Sequence, residues 1–522
     1  MANGGASGRG TLVLVAMTVA NAMILIDQTA VPLALPDIAQ DLGVRSQSVQ
    51  WVLTASLLPL AGLTILGGRL GDLLGRRKVF VTGAVLFAGA SALGGLAPSF
   101  AVLLAARVLQ GAGGALMLPT TVAIVSSAFS RDAAGRALGT MGGIAAVAGA
   151  LGPTIGGLLT SVLSWRAVLL INLPLLVVTL ACTMRAVPAD VRRTGRVHVD
   201  LSGAVAAGTG LVALVFGLGQ TTAWGWSSPG VIVPLVVCVV AFTAFVLRER
   251  RAHDPLMNFA LLRRSRNYLG ATISQGLAGM AEMGLGLIFP LLLILNLGMD
   301  PAVAGLALIP TTVPMVVLAP LVGRWYDRSG GRPPLVVGFG CLALAGVLLA
   351  LGAGARNYPW LLPGLLVYGV GLAIILTVND PVSIDTVPER DHGQASGVSA
   401  TAEQGGGAVG IALLYAVFHS AYLSRLHADV AGRNLPPLDD RTGPLLRDAL
   451  NAAEQFGLHP DTFDPRVARY LGSARVASDF GYSVTFLATT VLALVGLVAT
   501  AVLVRRPERP AVAATESETS AP

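Results

Sequence analysis

The sequence predicts an all-α polytopic membrane protein of fourteen spans, and three observations predict it. Of its 522 residues, 54% are hydrophobic and 12% charged, with a mean hydropathy of +0.72, whereas soluble proteins carry about 25% charged residues. A bilayer-spanning helix needs roughly 20 apolar residues, so the apolar content fills about fourteen spans and leaves little for a soluble core. The apolar residues also fall into fourteen separate runs, and the basic residues sort by loop. Together these exclude a water-soluble enzyme. They make the net charge of +7 a matter of membrane topology rather than of nucleic-acid binding.

Taken in order, six runs occupy about 11–36, 50–68, 79–97, 101–127, 137–161 and 167–186. A pair follows at about 200–220 and 229–248, then six more at about 267–297, 301–322, 334–354, 358–379, 395–422 and 480–504. Their lengths read as helical spans. The division is therefore an amino-terminal bundle over 1–190, two inserted spans within 191–263, a second bundle over 264–509 and a cytoplasmic tail at 510–522. The first run follows Arg9 but is too long for a signal peptide, contains Asp27, Pro32 and Pro36, and lacks a small-residue cleavage site. Residues 423–479 are polar and proline-bearing and read as an external loop with a helical stretch near Pro444 to Phe456. The tail, rich in Ala, Glu, Ser, Thr and Pro, is expected to be disordered.

With the amino terminus in the cytoplasm, the inner side receives Arg9, the Arg69 to Lys78 cluster, Arg131, Arg136, Arg185 and Arg248, and the arginines near 192–196, 263–266, 324–332, 390 and 505–509. The short outer loops hold only Arg45, Arg166 and Arg356. That asymmetry fits an even number of spans with both ends cytoplasmic. Cys182, Cys238 and Cys341 all lie in apolar runs without metal-ligand or disulfide spacing. Lys78 is the single lysine and follows Arg77, so no phosphate-binding GxxxxGK[ST] loop exists. The stretch Gly208 to Ala213 resembles a dinucleotide fingerprint only formally, because no strand precedes it. No cofactor and no metal are expected.

Between spans two and three the chain reads Gly68-Arg69-Leu70-Gly71-Asp72-Leu73-Leu74-Gly75-Arg76-Arg77-Lys78. Small glycines allow close helix approach, and Asp72 at the membrane edge with Arg76 and Arg77 beyond it forms a charge latch. A weaker copy, Gly323-Arg324-Trp325-Tyr326-Asp327-Arg328, follows 255 residues later at the same place in the second block. Matching latches in two six-span blocks imply an internal repeat.

These residues closely match the GxLaDrxGrkxxl signature of the major facilitator superfamily, and the chain resembles that family over essentially its whole length. Arg107-Val108-Leu109-Gln110-Gly111 is similar to the family's RxxQG element. Gly149, Gly152, Pro153, Gly156 and Gly157 resemble its antiporter motif, with Ala148 where glycine is usual. Ile26 to Val31 with Pro36, and Trp165-Arg166 leading into Ile171-Asn172-Leu173-Pro174, resemble the fourteen-helix drug:proton antiporter branch. The resemblance implies two six-helix bundles around a midplane cavity, with the inserted pair between them in sequence.

Ionisable residues inside apolar spans carry the functional expectation, because a charge at membrane depth is costly and faces a cavity or a partner. Asp27 and Arg107 lie at depths differing by about 6 Å at ~1.5 Å rise per residue, within reach of an ion pair for which a proton or cationic substrate could compete. Gln110 sits one turn from Arg107. Glu282, at the centre of Gly279-Met280-Ala281-Glu282-Met283-Gly284, has no base nearby in sequence and is the strongest candidate for proton coupling. Glu403 is a second, and Asp380 reads as a helix-end or latch residue. The expected function is efflux of amphipathic drugs or antibiotics across the cell membrane in exchange for protons, the chain acting as a monomer in the lipid bilayer. Export of an endogenous metabolite, such as a self-made antibiotic, siderophore or peptide, and proton-coupled uptake remain alternatives.

Overall fold

In hydrocarbon no water satisfies backbone N–H and C=O groups, so an apolar chain of this kind closes its hydrogen bonds within helices. The computed structural model describes residues 3–44, 49, 51–190, 201–220, 224–251, 265–299, 301–388, 391–433, 435 and 469–505. In the first half lie α1 (Asn3–Asp41), α2 (Trp51–Leu74), α3 (Arg76–Gly95), α4 (Phe100–Ala128), α5 (Arg131–Val162), α6 (Trp165–Leu170) and α7 (Asn172–Ala186). The pair α8 (Leu201–Gly219) and α9 (Pro229–Glu249) follows. The second half comprises α10 (Arg266–Leu291), α11 (Pro301–Ala307), α12 (Ile309–Ser329), α13 (Arg332–Ala353), α14 (Tyr358–Asp385), α15 (His392–Gly432) and α16 (Leu471–Leu503). Among the described residues, 13 segments are long and apolar enough to cross a membrane, α6 with α7 counting as one. The remaining long helix, α5, has 32 residues, about 48 Å at 1.5 Å per residue, and completes fourteen positions in the order six, two, six.

The two halves repeat one packing scheme. In the first, α1 runs parallel to α5, and α4 packs on α2 and α3; in the second, α10 runs parallel to α15, and α14 packs on α12 and α13. Across the halves, α2 meets α15 and α5 meets α12, so second and fifth spans exchange partners. Glycine makes several of these approaches feasible. At the α3–α4 crossing a Cβ on Gly113 would lie 2.6 Å from the Phe87 nitrogen and 2.8 Å from the Gly83 oxygen. Each half has its own buried core, with Met17, Phe80 and Met117 in one and Phe289, Phe339 and Phe486 in the other.

Val233, Val236, Val239 and Val240 on α9 stay exposed, as do Leu158, Leu351 and Val498 elsewhere. An apolar surface this extensive is stable only against lipid tails. The inserted pair is not detached from the bundles. Gly208 of α8 meets Gly62 of α2, with a Cβ on Gly208 only 3.0 Å from the Gly62 oxygen, while Leu211 lies 3.2 Å from a Cβ on Gly405 of α15. Thus α8 touches both halves, and α9 packs on α8 through Phe242 over Gly210.

One boundary departs from the sequence reading. The segment expected to be an external loop from 423 to 479 is helical at both described ends, because α15 continues to Gly432 and α16 starts at Leu471. Tyr422, Leu426 and Val430 recur every fourth residue and pack against Tyr470, Ala474 and Ala477. The intervening polar residues hide that stripe from a hydropathy count. The stretch from Pro444 to Phe456, the tail at 510–522, Arg45, Arg390 and the arginines at 192–196, 263–264, 506 and 509 lie outside the described residues.

Gly113→Val is expected to overpack the α3–α4 crossing at a cost of about 1–3 kcal/mol, read as a lower unfolding temperature of the detergent-purified protein.

Candidate functional site

The first half is pinned at its centre by one arginine. Arg107, on α4, is 1% exposed and spends its guanidinium on four acceptors. Nη1 donates to Asp27 Oδ2 at 2.7 Å and to Gln110 Oε1 at 2.6 Å, Nη2 donates to Ser56 Oγ at 2.7 Å, and Nε donates to the Val52 carbonyl at 2.9 Å. Gln110 Nε2 in turn donates to Asp27 Oδ1 at 2.7 Å and to Ser91 Oγ at 2.8 Å, and Asn172 Nδ2 reaches the same Ser91 oxygen at 3.0 Å. One network therefore joins α1, α2, α3, α4 and α7. The structure forms the Asp27–Arg107 pair that their depths allow and places Gln110 against both. It adds Ser56 and Ser91, short polar residues that no single-sequence motif singles out, and Asn172, which stands in the Ile171 to Pro174 element without an expected site role. Both Asp27 oxygens already accept a hydrogen bond.

The antiporter-type glycines lie next to this network. On α5, a Cβ at Gly152 would collide with the Thr29 hydroxyl, and one at Gly156 would lie 2.6 Å from the Ala30 oxygen; Gly149 lies against Leu25. These glycines bring α5 onto the α1 turn carrying Asp27.

The second half holds its acids differently. Glu282, on α10, is half-buried, and its Oε2 has no hydrogen-bond partner among the described residues. Glu403, on α15, accepts from Gln275 Nε2 at 2.5 Å. The two helices touch here because Gly279 lets the Glu403 backbone approach where a Cβ would collide with it. Asp380, read from the sequence as a helix-end residue, sits inside α14, which runs five residues further to Asp385, and its Oδ1 accepts from Ser399 Oγ at 2.8 Å. Glu282 and Asp380 both lie within electrostatic reach of Glu403. Among the described residues no base pairs with Glu282, Glu403 or Asp380. The first half thus has a charge with every oxygen matched, and the second has carboxylates without a counter-ion.

At the basic face the halves close on one another. Asp72 of α2 accepts from the backbone N–H groups of Gly393 at 3.0 Å and Gln394 at 2.7 Å, buried donors in the first turn of α15. Arg76 stands 3.4 Å from the same carboxylate and donates to the Ala123 carbonyl. Gly68 meets the Gly393 oxygen so closely that a Cβ would overlap it, and Gly71 lies against Thr120. Gly75, with φ 107°, makes the turn into α3, whose first N–H groups at Arg77 and Lys78 donate to Asp190; Arg77 also reaches the Val187 carbonyl at 2.8 Å. The second latch mirrors the first. Its Asp327 lies against Gly135 at the start of α5, Gly323 meets Arg136 and Arg328 is exposed, while at the first latch Ser126 of α4 contacts His392 Nδ1 at 3.2 Å.

On the opposite face, each clasp stays within one half. Asp41 accepts from Arg166 at 2.6 Å and from Trp165 Nε1 at 3.1 Å, with the Arg166 guanidinium 4.4 Å from the Trp165 ring centre. In the repeat, Asp479 accepts from Arg356 at 2.7 Å and from Asn296 at 2.5 Å. Parting the halves on this face breaks neither clasp. A separate apolar cavity of about 650 Å³ opens between α2, α4 and α8, lined by Trp51, Pro59, Val108 and Val205 among others. None of the acids lines it.

Arg107→Ala leaves the Asp27 charge buried and unpaired, so it is expected to cost about 3–5 kcal/mol. Thermal unfolding should show that loss, with partial recovery when Asp27→Asn is added. At the opposite face, the Arg166 and Trp165 hydrogen bonds hold the Asp41 carboxyl below its ordinary value of 3.8. A lowered value means that the clasp contributes fully above the ordinary value and is lost as pH falls through the lower one. Acid titration of tryptophan fluorescence should show a transition below that ordinary value that disappears in Asp41→Asn.

Comparison with known proteins shows the family and the fold. The family described as Major Facilitator Superfamily matches residues 17–411. A tetracenomycin C resistance and export protein of Streptomyces glaucescens is 35% identical over 509 residues, 95% of this chain and 92% of that one. A cephamycin export protein of Amycolatopsis lactamdurans is 36% identical over 78% of this chain and 85% of that one. The multidrug resistance protein Stp of Mycobacterium tuberculosis is 34% identical over 79% and 76%. Among solved structures, the proton:xylose symporter XylE aligns with a TM-score of 0.58 at 13% identity over 94% of this chain and 95% of that one, which shows the shared fold. With the repeated latch, the six-two-six order and these matches, the chain belongs to the major facilitator superfamily.

Proposed function

We propose that this protein exports amphipathic drugs or antibiotics across a cell membrane by alternating access, driven by proton entry, with both termini and the basic face in the cytoplasm. The observation that carries this reading is chemical: Glu282 on α10 and Glu403 on α15, whose helices meet at Gly279, lie within electrostatic reach of each other without a base among the described residues. An unpaired carboxylate at membrane depth is stable as the neutral acid or beside a cation. A proton and a cationic substrate therefore compete for it, which is the linkage that antiport requires.

In the state closed at the basic face, a proton arriving from outside neutralises Glu282 or Glu403 and displaces the substrate outward. Withdrawal of Asp72 from the start of α15 then lets the halves part on the cytoplasmic side. There the proton leaves and a new substrate takes its place. Asp27 keeps its two hydrogen-bonded oxygens throughout and serves with Arg107 and Gln110 to hold the first half rigid. All of these parts come from one chain, consistent with a functional monomer. Export of an antibiotic made by the same cell is a second reading, favoured by the names of the export relatives, and it uses the same chemistry.

Purified protein in liposomes carrying a pH gradient, tested with a panel of lipophilic cations and antibiotics, checks the reading. The wild type should accumulate substrate against its gradient and lose accumulation with a protonophore. Glu282→Gln should reduce accumulation of cations roughly tenfold or more, within the ordinary range of linkage between two ligands, while remaining folded. Accumulation indifferent to the protonophore overturns the coupling.

A further inference from the structure

We propose that Asp380, with the Ser399 hydroxyl, is the station through which the coupling proton leaves toward the basic face. This rests on the proton-coupled reading above and adds a route to it.

The route follows from helix register. On α10, Gln275, Gly279 and Glu282 share one face, at spacings of four and three residues. Gly279 admits the Glu403 backbone at the middle of that face, so Glu403 lies between Glu282 on one side and Gln275 on the other. Gln275 is 3% exposed, donates to Glu403 and leaves its own Oε1 without a partner. On α15, Ser399 stands four residues before Glu403, on the same face and one turn nearer the basic end, about 6 Å away between Cβ atoms. Its hydroxyl already donates to Asp380 on α14. Three carboxylates thus descend across α10, α15 and α14 toward the face closed by the latch.

Polar groups continue below Asp380. The buried hydroxyls of Ser383, on the α14 turn after Asp380, and of Ser396, on the α15 turn before Ser399, have no partner among the described residues. Each such group costs about 1–3 kcal/mol when it is buried unsatisfied. Ser383 and Ser396 lie between Asp380 and the helix ends, and a file of water admitted on opening would satisfy them. Gly393 and Gln394, at the start of the same α15, are the donors held by Asp72. The latch that closes the substrate path therefore also closes this one.

The transfer conserves atoms and charge. Ser399 passes its hydroxyl proton to the Asp380 carboxylate and takes up the proton given up by Glu403, directly or through one water. Glu403 ends ionised and Asp380 neutral, and Asp380 then releases its proton to cytoplasmic water.

The test compares two modes in liposomes, using whichever lipophilic cation of the panel the wild type accumulates best. Asp380→Asn should lower accumulation driven by a pH gradient roughly tenfold or more, as for loss of a positioned proton-transfer group. Exchange of labelled for unlabelled cation at equal pH, which needs no net proton release, should stay within about twofold. Ser399→Ala should show the same split in weaker form, and Asp380→Glu should restore driven transport. Full driven transport in Asp380→Asn overturns the route, as does an equal fall in both modes, which marks a structural role. If the wild type shows no gradient-driven accumulation of any panel cation, the coupled reading itself fails, and that outcome is read without any variant.

Discussion

A charge inside hydrocarbon must have a partner, a proton or a cavity, and the arrangement of this protein follows from that constraint. Arg107 satisfies it by partnership. Its guanidinium donates to acceptors on α1, α2 and α4, and Gln110 extends the network through Ser91 on α3 to Asn172 on α7. A fully matched charge of this kind is costly to disturb, so it ties five helices of the first half together. Glu282, Glu403 and Asp380 satisfy the constraint in the other way, because a carboxylate without a base can be neutralised by a proton or accompanied by a cation. The repeated halves have thus diverged in electrostatics while keeping the same helix packing.

The second requirement is that rigid halves close without fusing. Gly68 and Gly71 bring α2 against α15 and α4, and Gly135 and Gly323 bring α5 against α12. Asp72 adds directional bonds to the α15 terminus that cost little to remake, since they are two backbone N–H donors at a helix end. The clasps at Asp41 and Asp479 bind within each half. The interactions between the halves and those within them are therefore different in kind, and rocking can break one set while sparing the other. By touching both α2 and α15, the inserted helix α8 lies on the moving boundary.

Much of this was legible in the sequence, for identifiable reasons. Apolar run length is a direct consequence of bilayer thickness, so the fourteen spans could be read without contacts. The paired latches gave the repeat, and depths about 6 Å apart in the first and fourth spans put Arg107 within reach of Asp27. What was hidden depended on tertiary register. Ser56, Ser91 and Asn172 become partners only once five helices converge, and short polar residues in apolar spans carry no pattern of their own. Asp380 seemed terminal because its apolar run stops at 379, whereas α14 continues to Asp385 and places the carboxylate beside Ser399. The helical extensions at Tyr422 to Gly432 and Leu471 to Asp479 were masked by polar residues between the packing positions.

The central claim is that acids without a base carry the exchangeable proton and the fully paired Asp27 does not. Infrared difference spectroscopy of the purified protein, titrated between acid and neutral pH, tests it directly through the carbonyl band of protonated carboxyl groups. The account predicts a titrating band in the wild type that shrinks in Glu282→Gln and again in Glu403→Gln, while Asp27→Asn leaves it intact. A band that survives both glutamate substitutions and vanishes with Asp27→Asn would contradict it.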